Sequence, residues 1–163
     1  AAAAAARPAM PAASQQFDPA VSQRFDPPVP LEVAMPFLPP ATRYGSGHRG
    51  VDLVAEPGAP IRAAGDGVVV FAGPLAGRGV VSVEHAAGLR TTYEPVTARV
   101  SAGDVVRRGQ VIGALQPGHP GCPAGACLHL GARLPDRVYL DPLALFRVWE
   151  VRLKPWAGMA SGG

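Results

Sequence analysis

From Gly45 onward the chain runs only a handful of apolar residues before a glycine, proline or aspartate interrupts it. That punctuation leaves no room for long amphipathic helices and favours short strands joined by turns. Val68 to Phe71 follows Gly65-Asp66-Gly67, Val80 to His85 and Leu89 to Glu94 flank Ala86-Ala87-Gly88 as a hairpin, and Val111 to Leu115 and Ala126 to Arg133 close the series. Five or more strands are implied. Val81, Val83 and His85 alternate with Ser82 and Glu84, which predicts one buried and one wet face. The 20 Gly, 19 Pro and only 17% charged residues in 163 fit the same all-β antiparallel reading, and the length suits one domain with unstructured extensions.

Three stretches follow. Residues 1–44 are Pro/Ala-rich and read as an N-terminal arm, with Leu31, Val33, Phe37 and Leu38 available to pack on a domain spanning residues 45–146; residues 147–163 read as a fraying tail. The arm contains a near-duplicate, Gln16-Phe17-Asp18-Pro19 and Arg24-Phe25-Asp26-Pro27. Between Val100 and Gly113, Gly-Asp turns separate two very short apolar pieces, the pattern of a tight β corner like the hammerhead of biotinyl/lipoyl carrier barrels. A carrier needs an exposed lysine at a hairpin tip. The only lysine is Lys154, in the tail beside Pro155, so a carrier role is excluded. Asp141 to Phe146 reads as a strand exit and a short helical turn that packs Leu143 and Phe146 inward.

Charge excludes little by itself. The net charge is +3 with arginine in fourteen of fifteen basic positions, and no Lys/Arg stripe of the nucleic-acid-binding kind is present. No stretch approaches the roughly 18 to 20 apolar residues of a membrane span. The Ala1 to Ala6 start is that of a chain following a small-residue cleavage site, from which a signal peptide and secretion to the cell wall are inferred. Cys122 and Cys127 flank Pro-Ala-Gly-Ala. They either close a small disulfide loop or remain two buried thiols, and an exported chain favours the disulfide.

Four histidines can carry chemistry. His48 and Asp52 lie four apart in the Gly-rich segment Tyr44-Gly45-Ser46-Gly47-His48-Arg49-Gly50-Val51-Asp52-Leu53, where glycines let the side chains converge. Alone, such a pair is as easily a structural hydrogen bond as a metal site. Its context is more specific. With Pro57-Gly58-Ala59-Pro60-Ile61-Arg62-Ala63-Ala64-Gly65-Asp66-Gly67, Gly79 to His85, Thr92-Tyr93-Glu94-Pro95, Gly109 to Gly113 and Cys127-Leu128-His129, it resembles the lysostaphin/LytM-type zinc metallopeptidases over about residues 45–146, in order.

That resemblance implies a LytM-like β-sheet domain with a hammerhead hairpin. It implies one zinc ion held by His48, Asp52 and His129, and a partner in peptidoglycan peptides or their cross-bridges. Two histidines and a carboxylate with an open fourth position form the catalytic zinc pattern. Two departures stand out. Cys127 replaces the first histidine of the family's His-x-His strand, and Pro95 replaces the histidine of its Tyr-x-His strand. Losing proton transfer and oxyanion stabilisation costs about 100-fold or more each.

Three substitutes are available: Cys127 as a fourth ligand, Glu94 as a base, and His119 in the Gly118-His119-Pro120-Gly121 loop. Glu94 is expected to point away from the site unless Pro95 makes a bulge. His85, at a strand end, reads as structural. The expectation is a zinc metalloendopeptidase, and its alternative is a silent member that binds peptidoglycan or regulates another cell-wall hydrolase.

Overall fold

Leu128, Leu130 and Ala132 alternate with His129, Gly131 and Arg133, so the strand that carries them has one apolar and one functional face. In the computed structural model, which describes residues 23–42, 45–118, 121–122 and 125–146, this strand is the hub of the larger sheet. It spans Cys127–Arg133 (β10). It pairs antiparallel with β2 (Gly50–Val54) and β6 (Arg90–Glu94), and near its end with β11 (Tyr139–Leu140).

The sheet continues through β5 (Arg78–Glu84), β4 (Gly67–Leu75) and β8 (Val105–Val106) on one side, and β1 (Val33–Met35) on the other. A second sheet of three strands, β3 (Pro60–Arg62), β9 (Val111–Leu115) and β7 (Val96–Ala98), packs beside it. The expected antiparallel all-β architecture is present. The helical content among the described residues is two 3-10 turns, Ala86–Gly88 in the predicted hairpin and Pro142–Phe146 at the predicted turn.

Leu53, Val51, Leu128, Leu130, Val81, Val83, Tyr93, Ile61 and Ile112 are buried completely. Each such aliphatic side chain contributes about 1.5–3 kcal/mol of transfer free energy. The hammerhead lies where the Gly-Asp pattern places it. Gly103 and Gly109 adopt φ of 97° and 79°, a region that non-glycine residues rarely enter, and so turn the chain on either side of β8. Backbone bonds from Val69 N–H to the Asp104 carbonyl and from Gly109 N–H to the Ala63 carbonyl fasten this corner to β4 and to the chain just before it.

The described part of the arm docks from Gln23 onward. Val29 joins the core, Val54 N–H donates to the Glu32 carbonyl, and β1 adds an edge strand to β2. Phe25 meets the His85 ring edge-on at 5.1 Å, and Asp26 receives the Arg108 guanidinium at 3.2 Å. The duplicate at Phe17 lies outside the described residues.

His85 is a buried structural group. Its Nδ1 is 2.8 Å from the Asp66 carbonyl, which only accepts, so Nδ1 carries the proton. Nε2 is 2.7 Å from the Thr91 hydroxyl, and that hydroxyl is 2.8 Å from the phenol of Tyr93. Burial pushes the Tyr93 phenol up to about 12 and the His85 imidazole below its ordinary value, the latter against opposing contributions from Asp66 and Glu84.

The fold therefore selects neutral His85. Its contribution is complete above the unfolded pKa of about 6.5 and is lost as pH falls through the lower folded value. Thermal unfolding between pH 7.5 and 5 is expected to destabilise the wild type more steeply than His85→Asn. Parallel curves would contradict this assignment.

Candidate metal centre

The centre is made by strand register. His129 on β10 is directly opposite Asp52 on β2, so both side chains leave the same face of the sheet. His48 precedes β2 and is fixed by the arm: Leu38 and His48 exchange backbone hydrogen bonds of 3.0 and 2.9 Å. The His48 Nε2, Asp52 Oδ1 and His129 Nδ1 atoms form a triangle with sides of 3.0, 3.0 and 2.8 Å. Asp52 is buried, and the two imidazoles are about four-fifths buried at the head of the groove.

The protonation of this triangle tests whether it suits a cation. His48 Nδ1 lies 2.8 Å from the Pro36 carbonyl and must donate to it. A neutral His48 therefore presents its Nε2 lone pair to a carboxylate oxygen 3.0 Å away. Two acceptors cannot satisfy one another at that distance, so a positive charge belongs among them. Ligands bound at about 2.0–2.1 Å around a tetrahedral ion are separated by about 3.4 Å. The three donor atoms therefore need only to spread by a few tenths of an ångström. The residues fit a zinc ion, and the Pro36 carbonyl is the outer partner that orients a histidine ligand. Gly50 is required here, because a Cβ would lie 2.6 Å from His129 Nε2 and would also strike the Leu130 carbonyl.

Glu94 is the neighbour of His129 on the other side, in β6. Sequence reasoning had it face away from the site, and the structure corrects this. Tyr93 points into the core, so alternation without any bulge sends Glu94 to the metal face. There its carboxylate forms a two-pronged pair with Arg78 at 3.0 Å, which raises the Arg78 pKa through that hydrogen bond and the opposing charge. Arg78 had not been singled out, because the strand read from the sequence began at Val80, whereas β5 begins at Arg78.

The sulfurs of Cys122 and Cys127 are joined in a disulfide. A disulfide sulfur offers no thiolate, so Cys127 is not a fourth ligand, although it shares a face with His129. Pro95 is buried where the chain leaves β6 for β7, and its carbonyl accepts from Gln116 N–H at 2.9 Å. It has no proton to transfer. His119 lies outside the described residues.

A groove of about 720 Å³ opens from His48 and His129 across Gly131 and Thr92 to Arg133 and Tyr139. The group of His48, Asp52 and His129, which could hold a metal ion, stands at the head of this groove. The profile of Peptidase family M23 matches residues 46–142, and the chain belongs to that family.

An uncharacterized protein of Mycobacterium tuberculosis is 52% identical over 129 residues, covering 77% of this chain and 52% of that protein. The chain thus spans about half the length of the curated relatives it matches first. The DD-carboxypeptidase/endopeptidase Mpg of Neisseria meningitidis is 41% identical over 88 residues, covering 53% of this chain and 20% of that protein.

Among solved structures, Helicobacter pylori Csd3 is similar at a TM-score of 0.62 and 29% identity, covering 77% of this chain and 35% of that one. A zinc-containing peptidase from Vibrio cholerae gives 0.57 and 27%, covering 77% and 40%. The catalytic domain of lysostaphin from Staphylococcus simulans gives 0.61 at 23% identity, covering 72% and 93%, a likeness of fold.

Proposed function

We propose that this domain binds one zinc ion through His48, Asp52 and His129 and uses the groove beside it to hold peptide chains of bacterial peptidoglycan. The triangle carries the first half of the reading: Nε2 of His48, Oδ1 of Asp52 and Nδ1 of His129 converge within 3.0 Å of one another on one face of the sheet, a donor set that a single cation can bridge. The second half rests on the open groove and on similarity to the peptidoglycan DD-endopeptidase ShyC of Vibrio cholerae, 40% identical over 94 residues. Such a role sets the domain outside the cytoplasm, and the disulfide agrees with that compartment.

When bound, zinc supplies Lewis-acid polarisation of a peptide carbonyl. The chain's own residues do the rest. His48, Asp52 and His129 hold and orient the metal, and the groove wall positions the peptide. What the site lacks is a proton carrier at positions 95 and 127, so we read the domain as a binder of wall peptide whose hydrolysis is lost or strongly reduced. Partnership with another cell-wall hydrolase is the natural use of such a domain.

One observation favours a second reading, in which the domain is an endopeptidase. Glu94 stands beside His129 on the metal face, and release from Arg78 would free its carboxylate to accept a proton. The two readings separate in one experiment on zinc-loaded protein. Metal analysis is expected to give one equivalent of zinc, and sedimentation with purified peptidoglycan sacculi is expected to retain the protein without releasing new amino termini. New amino termini that vanish in Glu94→Gln would establish the second reading instead. Absence of both zinc and retention would refute the proposal.

A further inference from the structure

We infer that Arg133 is a carboxylate-recognising residue of this groove, and that Gly131 keeps the floor open between it and the metal. The inference rests on the groove being a peptide site. Register arranges the groove face in rows, because directly paired residues share a face. Behind the row of Asp52, His129 and Glu94 comes Gly50, Gly131, Thr92 and Ser82, and behind that Tyr139, Arg133 and Arg90. Rows two residues apart on a strand are about 6.8 Å apart, so Arg133 starts about 13 Å from the metal row.

The arginines of this groove are not equivalent. Arg78 is committed to Glu94 and Arg90 to Glu84, at 3.0 and 2.8 Å. Arg49 donates to the Gly45 carbonyl and lies over the Tyr139 ring, 5.8 Å from its centroid. The Arg133 guanidinium has no ion pair or hydrogen bond among the described residues. It lines both the metal groove and a second cavity of about 750 Å³ that continues from it past Tyr139. Asp136 is in that second cavity, but its Oδ1 accepts from Val138 N–H at 3.2 Å. An arginine of intermediate exposure lining a groove suits a planar anion bound through two parallel N–H donors, and in a peptide that anion is a carboxylate.

The floor supports the same occupant. Gly50 is glycine because of His129, but Gly131 has no such reason. A Cβ there would sit 3.6 Å from the Arg49 carbonyl and 3.9 Å from the Thr92 Cβ, which is ordinary contact, and its φ is not left-handed. A strand-centre glycine that the fold does not need is a site of close approach by another chain. A peptide lying across Gly131 would set one of its amides at the metal row. It would carry its carboxylate to Arg133 within one or two residues, given about 3.3–3.6 Å per extended residue and the length of the arginine side chain.

The test uses zinc-loaded protein and two synthetic peptides. One is L-alanyl-γ-D-glutamyl-diaminopimeloyl-D-alanine, and the other is the same peptide with its carboxylates amidated. Calorimetric titration of the wild type is expected to favour the free acid 10- to 100-fold. Arg133→Gln should remove that preference, and Arg133→Lys should restore part of it. Gly131→Leu, which leaves the charge in place, should weaken both peptides alike by at least 10-fold. Equal binding of the two peptides by the wild type, or an unchanged preference in Arg133→Gln, would overturn the inference while leaving the peptide site standing. Failure of zinc-loaded wild type to bind either peptide would overturn both.

Discussion

Exchange of His129 for alanine is expected to abolish stoichiometric zinc binding while leaving the metal-free domain as stable as the wild type, or slightly more so. The first half follows from ligand number. Loss of an outer partner of a metal ligand costs about 10- to 100-fold in affinity, and a direct ligand among three costs more than that. The second half follows from the side of the strand on which His129 lies. The core contacts of β10 are made by Leu128 and Leu130, which are fully buried on the opposite face. His129 contributes instead a third donor atom to a crowded triangle with sides of 3.0, 3.0 and 2.8 Å.

Zinc at about 1,000 times its dissociation constant adds about 4 kcal/mol to the stability of a protein that binds it only when folded. Added zinc should therefore raise the wild-type unfolding temperature by roughly 10 °C or more and leave that of the variant unmoved, with chelator bringing the two together. One equivalent of zinc retained by His129→Ala would remove this residue from the ligand set, and with it the centre described above.

Most of the fold was legible because its signals are local. The hairpin around Ala86-Ala87-Gly88, the strand Val111–Leu115 and the corner at Gly103 and Gly109 are each written in one short contiguous stretch, through alternation or through glycines that take positive φ. The convergence of His48, Asp52 and His129 was legible only through resemblance, because no local rule places His129 opposite Asp52; that is a matter of strand register across 77 residues.

The face of Glu94 was misjudged for a related reason. Alternation fixes which neighbours oppose one another, but not which set faces the core, and the burial of Tyr93 decides that. Docking of the arm was legible only in part: Leu31, Val33 and Leu38, expected to pack inward, stay exposed, and Val29 enters the core instead. Its anchors, such as Asp26 N–H on the Ala64 carbonyl and the paired Leu38 and His48, are backbone bonds that any residue can make. Arg133 escaped notice because an arginine at the end of a strand is ordinary in sequence. It becomes distinctive only when the other arginines of the groove are seen to be paired.

An imidazole at position 127, once the disulfide is removed, is expected to produce a large gain in hydrolysis. Cys127 is two residues before His129 on β10, about 6.8 Å along the strand and on the same face, so a histidine there projects towards the same groove. The present side chain is fully buried and tied to Cys122, which withdraws it from proton chemistry. Position 95 is less accessible to repair, since Pro95 is buried at the crossing between the two sheets and its carbonyl holds the Gln116 N–H.

The comparison is between Cys122→Ser/Cys127→His and Cys122→Ser/Cys127→Ser. Both lack the disulfide and differ only in the imidazole. A positioned acid–base group is worth about 100- to 10,000-fold. The histidine variant, loaded with zinc, should release amino termini from peptidoglycan peptides at least about 100 times faster than the serine variant. A gain would mean that metal and peptide are already placed for attack and that the wild-type groove is silent for want of a proton carrier. Equal rates from two zinc-loaded, peptide-binding variants would refute that account, because the missing imidazole at 127 would then not be what limits the chemistry.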